Sequence, residues 1–216
     1  VADDIIKVTL RPHNQRVTYT PGQFVYMRLL DLNGEPMDGW HPFSISSSSN
    51  DPYLELCIKS LGDFTKRLLN LGPGMEVEIE GAYGRFSFVN YKCRDQVWIA
   101  GGIGITPFLS MLKDLPDQGY RVYLFYCVST ASEFVSTDVL NMLALQKQNS
   151  LRIIPYASDQ QGKHLTADDI EAISGAFEGK DFYLCGPGPM MQSFTSQLKV
   201  KGVAKSRIHS EEFELL

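Results

Sequence analysis

The sequence predicts two domains, an N-terminal antiparallel β-barrel or sandwich and a C-terminal α/β domain built on a parallel sheet. Residues 2–90 contain short apolar segments separated by turn signals such as Pro21-Gly22 and Asn33-Gly34, a pattern typical of antiparallel strands. From about residue 95 the pattern becomes apolar strand, glycine turn and helix, which predicts parallel strands covered by helices. We place the boundary between residues 92 and 93.

The elements follow from these patterns in chain order. In the first domain, apolar runs between turns predict strands at residues 5–10, 23–30, 42–47, 53–58 and 75–80, with a short helix near Thr65–Leu71. In the second domain, strands are expected at 97–100, 122–128, 151–156 and 182–185, and helices at 107–115, 137–148, 167–173 and 190–199.

Composition excludes several classes of protein. With 44% hydrophobic and 21% charged residues the chain is globular, and at a net charge of −5 neither half is basic, so we expect no nucleic-acid partner. The cysteines at 57, 93, 127 and 185 form no C-x-x-C pair, and we expect no metal site. The longest uncharged stretch, residues 97–112, is shorter than the roughly 20 residues of a membrane span.

A glycine-rich turn follows the first strand of the second domain. It reads Gly101-Gly102-Ile103-Gly104-Ile105-Thr106-Pro107 and leads directly into a predicted helix. We expect Thr106 to be the N-cap and Pro107 the first helical residue, so that backbone N–H groups face an anion such as a dinucleotide pyrophosphate. A tight strand-to-helix connection without a ligand is the alternative.

A second glycine turn, Cys185-Gly186-Pro187, follows the strand at 182–185. Ligands of open parallel sheets bind at the carboxyl ends of the strands, so we expect Cys185 and Gly186 beside the first turn. For Cys185 the alternative is a small buried core residue.

Two segments of the first domain combine groups that suit a ligand. His41-Pro42-Phe43-Ser44-Ile45-Ser46 presents an imidazole, an aromatic ring and hydroxyls on an extended strand, with Phe43 and Ile45 on one face. Ile58-Lys59 and Gly62-Asp63-Phe64-Thr65 lead to a predicted helix start where backbone donors and basic side chains suit a phosphate. The alternatives are a plain strand with hydroxyls on its wet side and a capped helix with a solvated basic face.

Together these motifs resemble the ferredoxin-NADP reductase superfamily over essentially the whole chain. The His-Pro-Phe-Ser form, where many members have Arg-x-Tyr-Ser, looks like the NADPH oxidase and ferric reductase branch, and prokaryotic NADPH oxidase homologues in particular. The resemblance implies a two-domain ferredoxin-NADP reductase-like fold, with an FAD-binding antiparallel β-barrel at residues 1–92 and an NAD(P)-binding α/β domain at 93–216. The motifs stand in the family's order: His41-Pro42-Phe43-Ser44, Gly62-Asp63-Phe64-Thr65, Gly81-Ala82-Tyr83-Gly84, Gly101 to Pro107, Cys185-Gly186-Pro187 and His209-Ser210-Glu211-Glu212-Phe213.

The resemblance also implies the cofactors, FAD with NADH or NADPH, and roles for single residues. Phe43 would pack against the flavin ring, Ser44 would hydrogen-bond near flavin N5, and Phe213 would cover the other face. Ser44, Cys185, Glu211 and Phe213 are the candidate catalytic residues. The candidate cofactor-binding residues are His41, Pro42, Phe43, Ser44, Ile45, Ser46, Ile58, Lys59, Gly62, Thr65, Gly101, Gly102, Gly104, Ile105, Thr106, Pro107, Cys185, Gly186, Pro187 and Phe213.

Three departures from the family pattern matter. His41 replaces an arginine that would grip a pyrophosphate with two hydrogen bonds, so FAD would be held less firmly. Ala82 replaces the proline of a Gly-Pro-Tyr-Gly turn. The strand ending at Val128 leads into Ser129-Thr130, which offers neither an arginine for a 2′-phosphate nor a carboxylate for a 2′-hydroxyl, so we expect use of both coenzymes.

The function that the resemblance implies is transfer of a hydride from NADH or NADPH to FAD, then of single electrons to haem in a transmembrane partner domain. That domain would belong to the same parent chain, which fits a first residue that is Val rather than Met. The chain would lie at the cytoplasmic face of the membrane and O2 would become superoxide. The alternatives are a freestanding flavin or ferric reductase, the soluble reductase component of an oxygenase, and a regulatory module that binds nucleotide without turnover.

Overall fold

The computed structural model describes residues 4–211. In this part of the chain the strands are β1 (Ile5–Leu10), β2 (Phe24–Leu29), β3 (His41–Ser44), β4 (Leu54–Lys59), β5 (Val77–Tyr83), β6 (Asp95–Gly101), β7 (Arg121–Val128), β8 (Leu151–Ala157), β9 (Asp181–Cys185) and β10 (Ile208–Glu211). The α-helices are α1 (Asp63–Leu68), α2 (Thr106–Asp114), α3 (Thr137–Gln146), α4 (Ser158–Gln161), α5 (Ala167–Ser174) and α6 (Gly188–Val200).

Antiparallel pairing organises the first half, as the sequence predicts. Strand β2 lies between β3 and β5 in one sheet, and β1 pairs with β4 in a second. A bridge between Ile45 and Leu56 links the end of β3 to β4. The alternating apolar side chains of these strands meet in one core that includes Val25, Met27, Ile45, Leu56 and Ile58.

The second half is the predicted α/β unit. Its five-stranded sheet is entirely parallel, in the order β10-β9-β6-β7-β8. The strands β6 and β9 read as continuous apolar runs because each is buried against helices on both faces of the sheet. No helix within residues 4–211 is long and apolar enough to cross a membrane.

Strand β10 was not expected from the sequence. Ile208–Glu211 adds to the edge of the sheet beside β9, with Glu211 opposite Cys185. Four residues that are mostly polar give no periodicity from which a strand can be recognised, and the parallel neighbour supplies the pairing.

Three local expectations are wrong in detail. A 3-10 helix at Gly102–Ile105 precedes α2, so Thr106 is the first residue of α2 rather than its N-cap. The Thr106 hydroxyl instead donates to the carbonyl of Ile103 at 2.8 Å. The short helix α1 begins and ends earlier than expected, and the segment from Gly81 to Tyr83 continues strand β5 instead of forming a turn.

Aromatic packing joins the two halves. Phe86 and Phe88 precede the predicted boundary, yet both belong to the core of the second half, where Phe86 contacts Phe108 edge-on at 5.4 Å between ring centroids. Phe88 packs on Tyr120 in the same way at 5.3 Å. The two halves therefore share apolar contacts along the face that carries α2.

Candidate functional site

The two glycine turns meet at the carboxyl edge of the parallel sheet. Strands β6 and β9 are neighbours, with Ala100 opposite Cys185. A Cβ on Gly104 would lie 2.4 Å from the Cys185 carbonyl oxygen, and a Cβ on Gly186 would lie 3.0 Å from Gly101 Cα. Only glycine permits this approach, and the expectation that Cys185 and Gly186 lie beside the first turn is confirmed.

The first turn presents main chain rather than side chains. Ile105, Thr106 and Pro107 are buried, so they can reach a ligand only through backbone atoms. The N–H groups at the start of a helical segment lack partners within the helix, and here that segment begins at Gly102. Gly102 has φ of +53°, and a Cβ there would meet no atom within 4 Å, so the turn is open on that side.

Met190 is a component of this edge that sequence reasoning missed. It lies near the start of α6, and its side chain crosses both turns, with Sδ 2.6 Å from the Cβ position of Gly101 and Cε 2.5 Å from that of Gly186. The signal that could have found it is its place in the first turn of the helix that follows Gly186.

In the first half, β3 carries the predicted aromatic and hydroxyl groups. The His41 ring stacks on Phe64 of α1 at 3.8 Å between centroids, and Phe43 lies 6.0 Å from the same ring. Ser44 is 9% exposed, and its hydroxyl makes no hydrogen bond within the described part of the chain. Pro42 is exposed, and strand alternation places it on the side opposite His41 and Phe43.

The other candidate cofactor-binding residues of the first half lie either in its core or at its surface. Ile45, Ser46 and Ile58 are buried, so their side chains belong to the packing of the first half. Lys59 is about one-third exposed, and its Nζ lies 3.5 Å from the carboxylate of Asp4, which directly precedes β1. Thr65 accepts hydrogen bonds from the N–H groups of Leu61 and Gly62, both at 2.9 Å, and thereby shapes the start of α1.

Glu211 joins the two halves at this point. A Cβ on Gly84 of the first half would lie 3.3 Å from Glu211 Oε1 and 3.2 Å from Phe24 Cδ1, and Phe24 is paired with Ser44. Burial raises the pKa of the Glu211 carboxyl to about 7. Burial also raises the pKa of the Cys185 thiol, and the nearby Glu211 charge adds to that shift. Cys185 and Glu211 thus lie side by side, and Ser44 lies on the strand next to Phe24, which borders the same glycine. Phe213 lies outside the described residues.

Comparison with known proteins identifies both halves. Residues 1–87 match the model of an FAD-binding domain, and residues 98–196 match that of an oxidoreductase NAD-binding domain. The chain combines the FAD-binding and NAD-binding oxidoreductase domains of the ferredoxin-NADP reductase-like superfamily. We call the two parts the FAD domain and the NAD domain.

Relatives of this superfamily agree with that architecture. The ferredoxin reductase component of 3-ketosteroid-9-alpha-monooxygenase from Rhodococcus rhodochrous is 28% identical over 207 residues, which cover 93% of this chain and 58% of that protein. A flavohemoprotein from Bordetella pertussis is 27% identical, covering 90% and 53%. The chain therefore spans little more than half the length of these relatives.

A solved structure shows the same fold. The cytochrome b5 reductase domain of Ulva prolifera nitrate reductase superposes with a TM-score of 0.81 at 18% identity, covering 98% of this chain and 93% of that one. This agreement confirms the two-domain ferredoxin-NADP reductase-like fold, with FAD and NAD(P)H as the cofactors that the two domain models indicate.

The site residues fit these cofactors. The glycines at 101, 102 and 104 give a main-chain surface with an open side, which suits a pyrophosphate. Ser44 has no hydrogen-bond partner for its hydroxyl within residues 4–211, so that group is available to a ligand.

The end of β7 receives a carboxylate from the turn that follows the strand. Glu133 folds back over a short 3-10 turn, so that its carboxylate accepts the Ser129 N–H at 3.3 Å and the Thr130 hydroxyl at 3.2 Å. Ser129 and Thr130 themselves carry no carboxylate, as expected, but the turn brings one to this strand end from the fifth residue after the strand.

Proposed function

We propose that this chain is a reductase module that takes electrons from NADH or NADPH through FAD and passes them to a separate acceptor protein. FAD accepts a hydride from the nicotinamide and can release the two electrons singly. The proposal rests above all on one juxtaposition: the glycine turns of the NAD domain lie beside Glu211, whose carboxylate meets Gly84 of the FAD domain.

The protein's own contribution would be alignment and exclusion of water. We propose that backbone N–H groups from Gly101 to Gly104 hold the pyrophosphate of the dinucleotide, because they stand at the start of a helical segment. The Ser44 hydroxyl would donate to the flavin ring. Cys185 would be uncharged, since burial raises the pKa of its thiol, and would pack against the nicotinamide.

The other cofactor-binding assignments remain proposals of the same kind. Phe43 would supply an aromatic surface, and His41, Lys59 and Thr65 would lie along the ribityl and phosphate groups. This arrangement is supported by the His41–Phe64 stack, which orients the imidazole edge, and by the partly exposed Lys59 ammonium. Phe213 would cover the flavin from the other side.

The test is anaerobic stopped-flow mixing of the chain, preloaded with FAD, with NADH or NADPH. We expect rapid loss of flavin absorbance with each coenzyme and no change in coenzyme absorbance when FAD is left out. A chain that binds FAD but is not reduced by either coenzyme would refute the proposal and favour a regulatory module.

The nature of the acceptor is a further part of the proposal. A soluble oxygenase component or a haem domain fits the relatives, whose names include a monooxygenase reductase component and a flavohemoprotein. A haem-bearing transmembrane domain, with superoxide as the product at the cytoplasmic face of a membrane, is the second candidate, favoured by the His41-Pro42-Phe43-Ser44 motif. Faster reduction of a purified membrane haem domain than of soluble iron–sulfur or haem acceptors would support the second candidate.

A further inference from the structure

Helix α2 connects the two cofactor sites directly. Its N-terminus continues the glycine turn of the NAD domain, and its side chains contact strand β4 of the FAD domain. The Thr106 hydroxyl lies 3.4 Å from the Cys57 carbonyl oxygen, and about two helical turns later Lys113 Nζ lies 2.9 Å from Glu55 Oε2. Strand β4 ends at Lys59, one of the candidate FAD contacts, so helix and strand each lead to one site.

The Glu55 carboxylate is the buried centre of this contact. It is 7% exposed, and its second oxygen lies 2.7 Å from Lys7 Nζ of β1, in the same domain. Burial acts to raise the pKa of Glu55, but Lys7 and Lys113 outweigh burial and hold the pKa below its ordinary value. Both lysines therefore bring one positive charge to Glu55, but they come from different domains. Lys7 belongs to the FAD domain, as Glu55 does, whereas the Lys113 ion pair joins the NAD domain to the FAD domain.

A second contact fixes the end of the same helix. Asp114 accepts hydrogen bonds from the Ser48 hydroxyl and, at 3.0 Å, from the Ser49 N–H. The Ser48 carbonyl in turn accepts the Tyr19 hydroxyl at 2.6 Å. The loop that receives α2 is thus itself held by the FAD domain, and a movement of α2 relative to β4 must break charged or charge-assisted bonds.

We propose that Glu55 and Lys113 are positioning residues, whose ion pair fixes α2 along β4 and so sets the rate of hydride transfer rather than the affinity for either cofactor. This inference rests on the proposed function. Misplacement of reacting groups by about 1 Å can lower a rate on the order of a hundredfold, so a small shift of the helix is sufficient. A residue that contributed to stability alone would leave the limiting rate unchanged.

The decisive comparison is between Lys113→Met and Lys7→Met in the FAD-loaded chain. Each substitution removes one ammonium group from Glu55 and leaves the other, so the carboxylate keeps a partner and the fold is retained. We expect Lys113→Met to lower the limiting rate of flavin reduction by NADH at least tenfold, with an apparent Kd for NADH within about twofold of wild type. Lys7→Met should stay within twofold of wild type in both quantities.

Rescue and stability measurements complete the test. Lys113→Arg keeps the charge and should restore most of the rate, while urea midpoints of all variants record the loss of stability separately. Equal limiting rates in Lys113→Met and Lys7→Met, or a change confined to the apparent Kd, would overturn the inference alone. A wild-type chain that NADH and NADPH cannot reduce would overturn the proposed function, and the inference with it.

Discussion

Gly104→Ala is the substitution for which the structure predicts a large effect on the contact between the two glycine turns. The added methyl carbon would lie 2.4 Å from the Cys185 oxygen, 2.6 Å from its carbonyl carbon and 2.7 Å from the Gly186 nitrogen, whereas ordinary contact begins near 3.4 Å. The two turns would have to separate by about 1 Å, although the β6–β9 ladder holds them together. Overpacking of this kind costs about 1–3 kcal/mol, and we expect the upper end because every obstructing atom is main chain.

The assay has two readouts. At about 2–4 °C per kcal/mol for a chain of this size, the melting temperature of Gly104→Ala should fall by roughly 6–12 °C. Because Cys185 and Gly186 move away from the first turn, flavin reduction by NADH should slow on the order of a hundredfold.

Two other glycines serve as controls. Gly39→Ala meets no atom within 4 Å and should match wild type in both readouts. Gly102→Ala is also unobstructed by protein but has φ of +53°, so it is a control for the melting temperature alone, which should reflect only the roughly 1–2 kcal/mol of left-handed strain. A Gly104→Ala protein that melts and reduces flavin like Gly39→Ala would refute this reasoning.

Three further predictions concern the charges and the ring near the cofactors. Because burial raises the pKa of Glu211 to about 7, the folded chain holds that proton more tightly than the unfolded chain, so stability should decrease as pH rises from about 4.5 to 7. Glu211→Gln should lack that component in urea unfolding, and an identical pH dependence in both proteins would contradict the assignment. We expect NADH and NADPH to differ by less than about a hundredfold in kcat/KM, roughly 2.7 kcal/mol, because the exposed Glu133 carboxylate is shared with Ser129 and Thr130. Glu133→Arg should shift the ratio about tenfold toward NADPH, and an unchanged ratio would exclude a role in coenzyme choice. Phe213→Ser should alter turnover and strengthen the charge-transfer absorbance between nicotinamide and flavin, which unchanged spectra and kinetics would disprove.

Local sequence patterns predict much of the fold and part of the candidate site. The apolar runs from Val97 to Ala100 and from Phe182 to Cys185 predict buried parallel strands because they are short, continuous and followed by glycine turns. The glycines that follow each strand predict close approach of main chain, and the structure confirms that approach between Gly104 and Cys185. In these cases the information lies within a few residues of the feature it determines.

The predicted start of a helix is less accurate where two local conformational preferences compete. Thr106 before Pro107 is typical of an N-cap, yet the helical conformation begins four residues earlier in a 3-10 turn. The Thr106 hydroxyl then donates to the Ile103 carbonyl instead of accepting a hydrogen bond from a helix N–H group, as an N-cap threonine would. Helix ends depend on small energy differences that neighbouring packing easily reverses.

The sequence by itself determined the two-domain fold, most of its strands and the glycine turns, since apolar patterning and backbone freedom are local properties of the chain. Only the tertiary structure decided that Ile208–Glu211 would join the sheet and that Lys113 would reach Glu55. Each of the latter depends on how distant segments pack together. No short stretch of sequence encodes that packing, because its free energy belongs to pairs of residues that meet only in the folded chain.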